Sequence, residues 1–211
     1  MHPGEMVGRL ANLTFAAGTT ALVGYVLSRL PPAQWPLLLP AVIYEGLAAA
    51  MAVFSVRAEA FARTAGEVAL PIVSTWLYPL ASLALGDRMA VRGVAAAALG
   101  VLTLATYAWL VWALLSLRRN FSILPEVRTL VTRGPYAWVR HPLYLGYSVL
   151  WFAGACATGR PVLIGLALLA AVLFERRAAM EERKLAAHVA AYDAYTRHTW
   201  RMVPGAGRRP G

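Results

Sequence analysis

Long apolar stretches separated by short polar ones run through the first half of the chain, and the breaks define the elements. Residues 7–30 form the first stretch, with Arg9, Asn12 and Arg29 near its ends, and the pair Pro31-Pro32 stops it. Residues 36–56 form the second, followed by a polar link at 57–66. Residues 67–85 form the third, with Pro71 and Pro79 as expected kink points. A turn at 86–92 leads into the fourth and longest, 91–117. A spanning helix takes about 20 apolar residues, so all four are long enough. The second half is patterned differently. Residues 143–157 and 161–174 are apolar for only 15 and 14 positions, fewer than the ~17 that an average bilayer takes. With Thr158-Gly159-Arg160 as a tight turn between them, they predict a helical hairpin. Its arms are too short to cross, so its turn is expected to stop short of the far face. The second arm is expected to run on through the charged stretch 175–188, and a basic, Pro- and Gly-containing tail, 192–211, ends the chain.

Composition agrees with this pattern. Of 211 residues 59% are hydrophobic and 14% charged, against about 25% charged in an ordinary soluble domain. The chain therefore reads as an all-α polytopic integral membrane protein, four transmembrane helices plus a C-terminal helical hairpin. It forms a single domain over 1–211, in which 1–117 supply the transmembrane helices. The N-terminal apolar stretch is too long for a cleavable signal. A net charge of +10 would raise nucleic acid as a partner in a soluble protein. Here topology explains it better, and no nucleic acid is expected. With the N-terminus inside, sixteen of the 20 Lys and Arg fall on the inner side, and only Arg29, Arg88, Arg92 and Arg160 fall outside. That bias predicts cytoplasmic termini and a cytoplasmic loop at 118–142.

Little else in the composition carries chemistry. The single Cys156 lies in an apolar run and excludes an intramolecular disulfide. His2, His141, His188 and His198 show no paired metal-ligand spacing, so no metal is expected. No glycine-rich phosphate loop is present.

One stretch looks built for chemistry rather than burial. Residues 130–146 read LVTRGPYAWVRHPLYLG. They combine a Gly134-Pro135 turn, the aromatics Tyr136, Trp138 and Tyr144, the bases Arg133 and Arg140, and His141. The residue before a proline is pushed out of the helical region, so His141 is expected to be extended, and Pro142 to open a helix. A helix start offers free N–H groups that suit an anion. The same residues also fit an interfacial loop with Tyr and Trp anchors. Further on, Arg177 and Glu181 are one helical turn apart and share a face. They are either an exposed ion pair worth at most ~0.5 kcal/mol or two groups with separate partners. Glu45, near the middle of the second apolar stretch, is costly there by a few kcal/mol. It is expected to face the protein interior, either as a packing contact near Tyr44 or as lining for a lipid's polar head.

The order G-P-Y-x-x-x-R-H-P-x-Y-x-G resembles the signature of the isoprenylcysteine carboxyl methyltransferase and phospholipid methyltransferase families. The resemblance continues through Arg177, Glu181-Glu182, Leu185, Tyr192 and Tyr195 and covers roughly the last 90 residues. It implies an integral membrane methyltransferase of bacterial type, in the bacterial inner membrane, that uses S-adenosylmethionine, with 118–211 as the cofactor-binding and catalytic part. It also implies cofactor contacts at Arg128, Thr129, Leu130, Val131, Tyr136, His141, Pro142, Leu143, Tyr144 and Glu181, and a further contact near 121–125. Arg177 would hold the substrate and act with Glu181 and Arg140 in catalysis; Glu45 lies outside the resemblance and is a candidate substrate contact only by its place in the second apolar stretch. Glu182 is expected to be a solvated helix residue rather than a second cofactor contact. A carboxylate acceptor needs no base whereas an amine does, and no strong base is visible. A lipophilic carboxylate acceptor, isoprenylcysteine-like or an isoprenoid acid, is therefore favoured over a phospholipid amine or a small thiol. An NADPH-dependent membrane reductase and a non-catalytic scaffold are the other classes open, and the oligomeric state is not legible.

Overall fold

A computed structural model describes residues 3–85 and 90–205. His2, Arg88, the centre of the expected 86–92 turn and the last residues of the tail, 206–211, lie outside the described residues. The elements are α1 (Pro3–Arg29), α2 (Leu39–Val53), α3 (Ala65–Leu85), α4 (Gly93–Leu117), α5 (Pro142–Thr158), α6 (Pro161–His188) and α7 (Tyr192–His198). A 3-10 turn, Pro32–Leu38, leads into α2. The fold is all-α. α1, α2 with its leading turn, α3 and α4 are each long and apolar enough to cross a membrane. Each also leaves large apolar side chains outward, among them Leu10, Ile43, Leu80 and Val101. Such a surface suits a bilayer rather than water.

The ends of these helices are fastened to one another at one face. Asn12 of α1 donates to Ser55 Oγ (3.1 Å) and accepts from the Ile123 N–H (3.1 Å). Arg119, just past α4, donates from Nε to the Phe54 carbonyl past α2 (2.7 Å), and its own carbonyl accepts from the Val56 N–H (2.8 Å). Residues 59–60 pair with Val127 in a short antiparallel bridge. α2 and α4 therefore end in the same layer, and the segment 118–128 is laid across it.

The hairpin is present, but its depth differs from the sequence-based expectation. Gly159 caps α5 in the left-handed region (φ +64°) and Pro161 opens α6, which are the preferred residues for those positions. The turn does not stop short. The carbonyl of Ala157 accepts from the N–H groups of Ala90 and Val91 (2.9 and 3.2 Å), and Arg160 donates to the Leu85 carbonyl. The turn thus lies level with the far ends of α3 and α4. The missing length is at the other end. Trp109 Nε1 donates to the Pro142 carbonyl (2.9 Å), eight residues before α4 ends, so α5 begins about 12 Å below that end at 1.5 Å per residue. Gly146 makes the close approach possible, because a Cβ there would lie 2.5 Å from Leu110 Cδ2. The short arm is the floor of a recess. Beyond Phe174, α6 continues unbroken through the charged stretch, as its sequence predicts.

This geometry predicts the labelling of a Cys156→Ala background. A cysteine at Arg160 should react with an impermeant maleimide from the same side as one at Arg92, and at a rate within a few-fold of it. Protection of Arg160→Cys beside a reactive Arg92→Cys would place the turn inside the bilayer instead.

Candidate functional site

The recess is built from four segments. Gly134, with φ +61°, starts a 3-10 turn (Gly134–Ala137) against α4, where a Cβ would collide with Ser116 Oγ. The chain then runs extended to His141 (φ −124°, ψ 61°), outside the helical region as its place before Pro142 predicts. Residues 138–141 are held by the end of the chain. Trp200 N–H donates to the Trp138 carbonyl (2.9 Å), Arg140 N–H to the Trp200 carbonyl (2.8 Å) and His141 N–H to the Arg201 carbonyl (3.0 Å). The tail is therefore a strap with its own helix, α7.

Under the strap lies Glu182, and here the sequence-based expectation is overturned. Glu182 is 2% exposed. Its Oε1 accepts from Arg140 Nε (2.7 Å) and lies 3.4 Å from His141 Nε2, while its Oε2 accepts from Arg201 Nε (3.0 Å). Arg140 also donates to the Thr199 and Thr196 carbonyls. Burial alone would raise the Glu182 carboxyl. Hydrogen bonding and charge from His141 and Arg140 outweigh it and hold the carboxyl at about 2. A helix turns 100° per residue, so adjacent Glu181 and Glu182 cannot face the same way, and that was the one sign in the sequence that their roles differ. Arg140 lines the recess as well, and its guanidinium is engaged in this ionic hub, where it positions His141 and the strap.

Glu181 faces the recess. Its Oε1 accepts from the Tyr144 hydroxyl (2.6 Å) and from Arg177 Nε (3.0 Å), and His141 Nδ1 lies 3.8 Å from Oε2. The shared face of Arg177 and Glu181 is real, but the pair is not an exposed one. Arg177 is 3% exposed. Its remaining donors reach Thr75 Oγ1 (3.1 Å), the Pro71 carbonyl (3.4 Å) and the Ile123 carbonyl, and its guanidinium lies 4.9 Å from the Tyr144 ring centre. His141, Tyr144 and Phe174 form a near-parallel stack, with ring centres 5.3 and 5.1 Å apart. A bidentate grip on an anion would require Arg177 to exchange partners at Thr75 or Ile123.

The cavity between these elements is lined by Arg128, Thr129, Leu130, Val131, Tyr136, His141, Pro142, Leu143, Tyr144, Arg177 and Glu181, together with 120–127, Lys184, Leu185, Tyr192 and Tyr195. Sequence reading did not find the contribution of Thr75 and Lys184. Each lies far from the signature in the chain and reaches the site only through helix packing. Lys184 donates to the Phe61 and Pro125 carbonyls (2.9 and 3.2 Å) and pairs with Glu67 (2.9 Å), which fixes the 121–127 wall. Arg128 is committed on one side to Glu126 and the Phe121 carbonyl. Its Nε and Asn120 Oδ1 are buried without hydrogen-bond partners among the described residues. Burial pushes the Tyr136 and Tyr195 phenols up, so neither is an anionic base at neutral pH. A second, larger cavity, about 340 Å³ against about 170 Å³, opens among α1, α2, α3, α4 and α5. It includes Glu45, and it shares Thr75 and Tyr147 with the first.

Fold and site together define a polytopic membrane protein with a polar, aromatic-walled cavity at one face joined to an apolar one among its helices. Residues 98–187, which run from within α4 almost to the end of α6, match the model of the isoprenylcysteine carboxyl methyltransferase (ICMT) family. Over those residues, less than half of the chain, it is similar to that family of methyltransferases. Among solved structures it is similar to the eukaryotic intramembrane Ras methyltransferase ICMT, with 16% identity, full coverage of both chains and a TM-score of 0.42. No protein of curated function matches it.

The hub makes a prediction about acid. A carboxyl held at about 2 against an ordinary 4.5 stabilises the fold above pH 4.5, and that stabilisation is lost as pH falls through about 2. Its size is on the order of 3 kcal/mol. In detergent, thermal stability of the wild type should fall across this window. Glu182→Gln should start lower, by about 3 kcal/mol or more, and lose the Glu182 part of the slope. An identical pH profile in the two proteins would remove Glu182 from this role.

Proposed function

We propose that the chain transfers a methyl group from S-adenosylmethionine to the carboxylate of a lipophilic, isoprenylcysteine-like or isoprenoid acid. The reaction would take place where the two cavities meet. The single observation that carries this reading is that junction. A polar cavity with an aromatic stack and the cavity-facing carboxylate of Glu181 abuts an apolar cavity at Thr75 and Tyr147, and Arg177 donates to Thr75 there.

The residues of the polar cavity fit the cofactor. Glu181 can accept hydrogen bonds from hydroxyl or ammonium groups, and the unpartnered Arg128 Nε and Asn120 Oδ1 supply a donor and an acceptor for a polar ligand. Leu130, Val131, Leu143 and Tyr136 would cover its apolar parts. Bound there, S-adenosylmethionine supplies an electrophilic sulfonium methyl group. Arg177 would meet the acceptor carboxylate by exchanging its Thr75 contact, one helical turn from Glu181, so α6 sets the spacing of the two ligands. A carboxylate is already an anion at neutral pH and needs no base, which agrees with a cavity in which Tyr136 and Tyr195 stay protonated. The chain's part is to position the reactants and exclude water. The strap formed by α7 and 199–201 closes the cavity on the side away from the membrane. Arginine bias supports placing this face and both termini in the cytoplasm of a bacterial inner membrane, where the cofactor is available.

Calorimetry with S-adenosylhomocysteine tests the cofactor half. The wild type should bind, and Glu181→Ala should weaken binding by about 1–3 kcal/mol, the scale of a hydrogen bond involving a charge. Unchanged affinity in a folded variant would move the cofactor elsewhere. Arg177→Lys tests the acceptor half. With an S-prenyl cysteine derivative as acceptor, kcat/KM should fall roughly ten- to a thousand-fold, and cofactor affinity should change far less. Lost cofactor binding with intact turnover would reverse the two assignments. Turnover of a neutral amine or thiol in place of the acid would overturn the carboxylate.

A further inference from the structure

We infer that the acceptor carries a second polar group, a hydrogen-bond donor such as a hydroxyl or an ammonium, which binds Glu45 inside the membrane cavity. The inference rests on the reading that this cavity holds the acceptor, and it narrows the acceptor's class. A lipid with one carboxylate and a plain hydrocarbon tail would leave Glu45 without a role.

Glu45 stands in α2 and lines the cavity, yet it makes no hydrogen bond and no ion pair among the described residues. A carboxyl among apolar membrane helices costs a few kcal/mol unless something compensates it, and its neighbours do not. The Tyr44 hydroxyl is bonded to that of Tyr147. Thr19 Oγ1 donates to the Ala16 carbonyl (3.2 Å), and Thr75 Oγ1 is engaged by Arg177. Tyr107, which lines the same cavity, also has no hydrogen-bond partner among the described residues. Glu45 and Tyr107 thus face one space with their hydrogen-bonding capacity unused, Ser82 and Thr103 line it as well, and Tyr44, Thr19 and Thr75 are engaged elsewhere. Their partner is a ligand.

Depth fixes where on the ligand the group sits. α2 and α4 end in the same layer through the Arg119 contacts with Phe54 and Val56. Glu45 lies eight residues before the end of α2, and Trp109, which holds Pro142, lies eight before the end of α4. Both are therefore about 12 Å below that layer. Glu45 stands at the level of the site, one helix away, and Tyr44 beside it touches Tyr147 of α5 directly. Helix axes pack about 8–10 Å apart, so the donor belongs about 10 Å from the methyl-accepting group, in the head region of the lipid. The cavity continues past Val23, Val26, Leu38 and Val42, where the apolar tail would run.

The test uses three C15 isoprenoids of equal length, an alcohol, a primary amine and the hydrocarbon. Binding is read by tryptophan fluorescence of the full-length protein in detergent, since Trp76 and Trp151 line the cavity. The wild type should bind the alcohol or the amine at least tenfold more tightly than the hydrocarbon, and whichever is tighter identifies the donor as hydroxyl or ammonium. Glu45→Leu should bind all three within about threefold of one another, with hydrocarbon affinity kept or raised. S-adenosylhomocysteine binding reports in parallel that the variant is folded. Equal binding of the three probes by the wild type, or a preference that survives in Glu45→Leu, would overturn the inference while leaving the proposed reaction standing. If none of the three bound a wild type that binds S-adenosylhomocysteine, the acceptor cavity itself would be wrong, and the inference would fall with it.

Discussion

The buried contact between Glu182 and Arg140 is the constraint on which the site depends. Both side chains are almost wholly enclosed, at 2% and 1% exposure. A charge in that position is tolerable only when its partner is in place, and removing one partner of such a pair costs several kcal/mol. Three separate parts of the chain must therefore meet at one point. α6 brings Glu182, the 138–141 segment brings Arg140 and His141, and the strap brings Arg201. Once they meet, the backbone of 138–141 has a partner strand in 200–201, and His141 and Pro142 stand at the mouth of α5. The pair contributes little net stability beyond what apolar residues of that shape could give. It specifies one arrangement of loop, helix and tail.

The same constraint divides the work between two adjacent glutamates. Glu182 locks the architecture from behind α6, while Glu181, turned by 100°, is left on the cavity side with Tyr144 and Arg177. Rigidity on one face of the helix gives precise placement on the other. Arg177 extends this order into the membrane by holding Thr75, Pro71 and Ile123 at once. In doing so it ties α3 and the 121–127 wall to α6 at the place where the two cavities join.

Much of this was legible in the sequence, because hydrophobic length and proline position act locally. Four spanning helices followed from apolar run lengths, and the hairpin followed from Gly159 and Pro161. The non-helical His141 and the start of α5 followed from Pro142. The signature order pointed to the family to which residues 98–187 match. What was not legible depended on tertiary packing. The 15-residue apolar arm looked too short to cross, because nothing local reveals that Pro142 is anchored to Trp109 below the end of α4. Glu182 looked solvated because its partners are 42 residues upstream and 19 downstream. The pairing of the tail with 138–141 left no signal, because an isolated bridge at Trp200 has no periodicity to detect.

A double-mutant cycle on Arg140 and Glu182 tests most directly the claim that this pair builds the polar cavity proposed to hold the cofactor. S-adenosylhomocysteine affinity would be measured for the wild type, Arg140→Met, Glu182→Leu and the double variant. Each single variant leaves a buried charge without its closest partner and should bind at least tenfold more weakly. The double variant should bind no more weakly than either single one, giving a coupling of about 1.4 kcal/mol or more. Additive losses, or single variants that bind as tightly as the wild type, would show that the cavity forms without the pair.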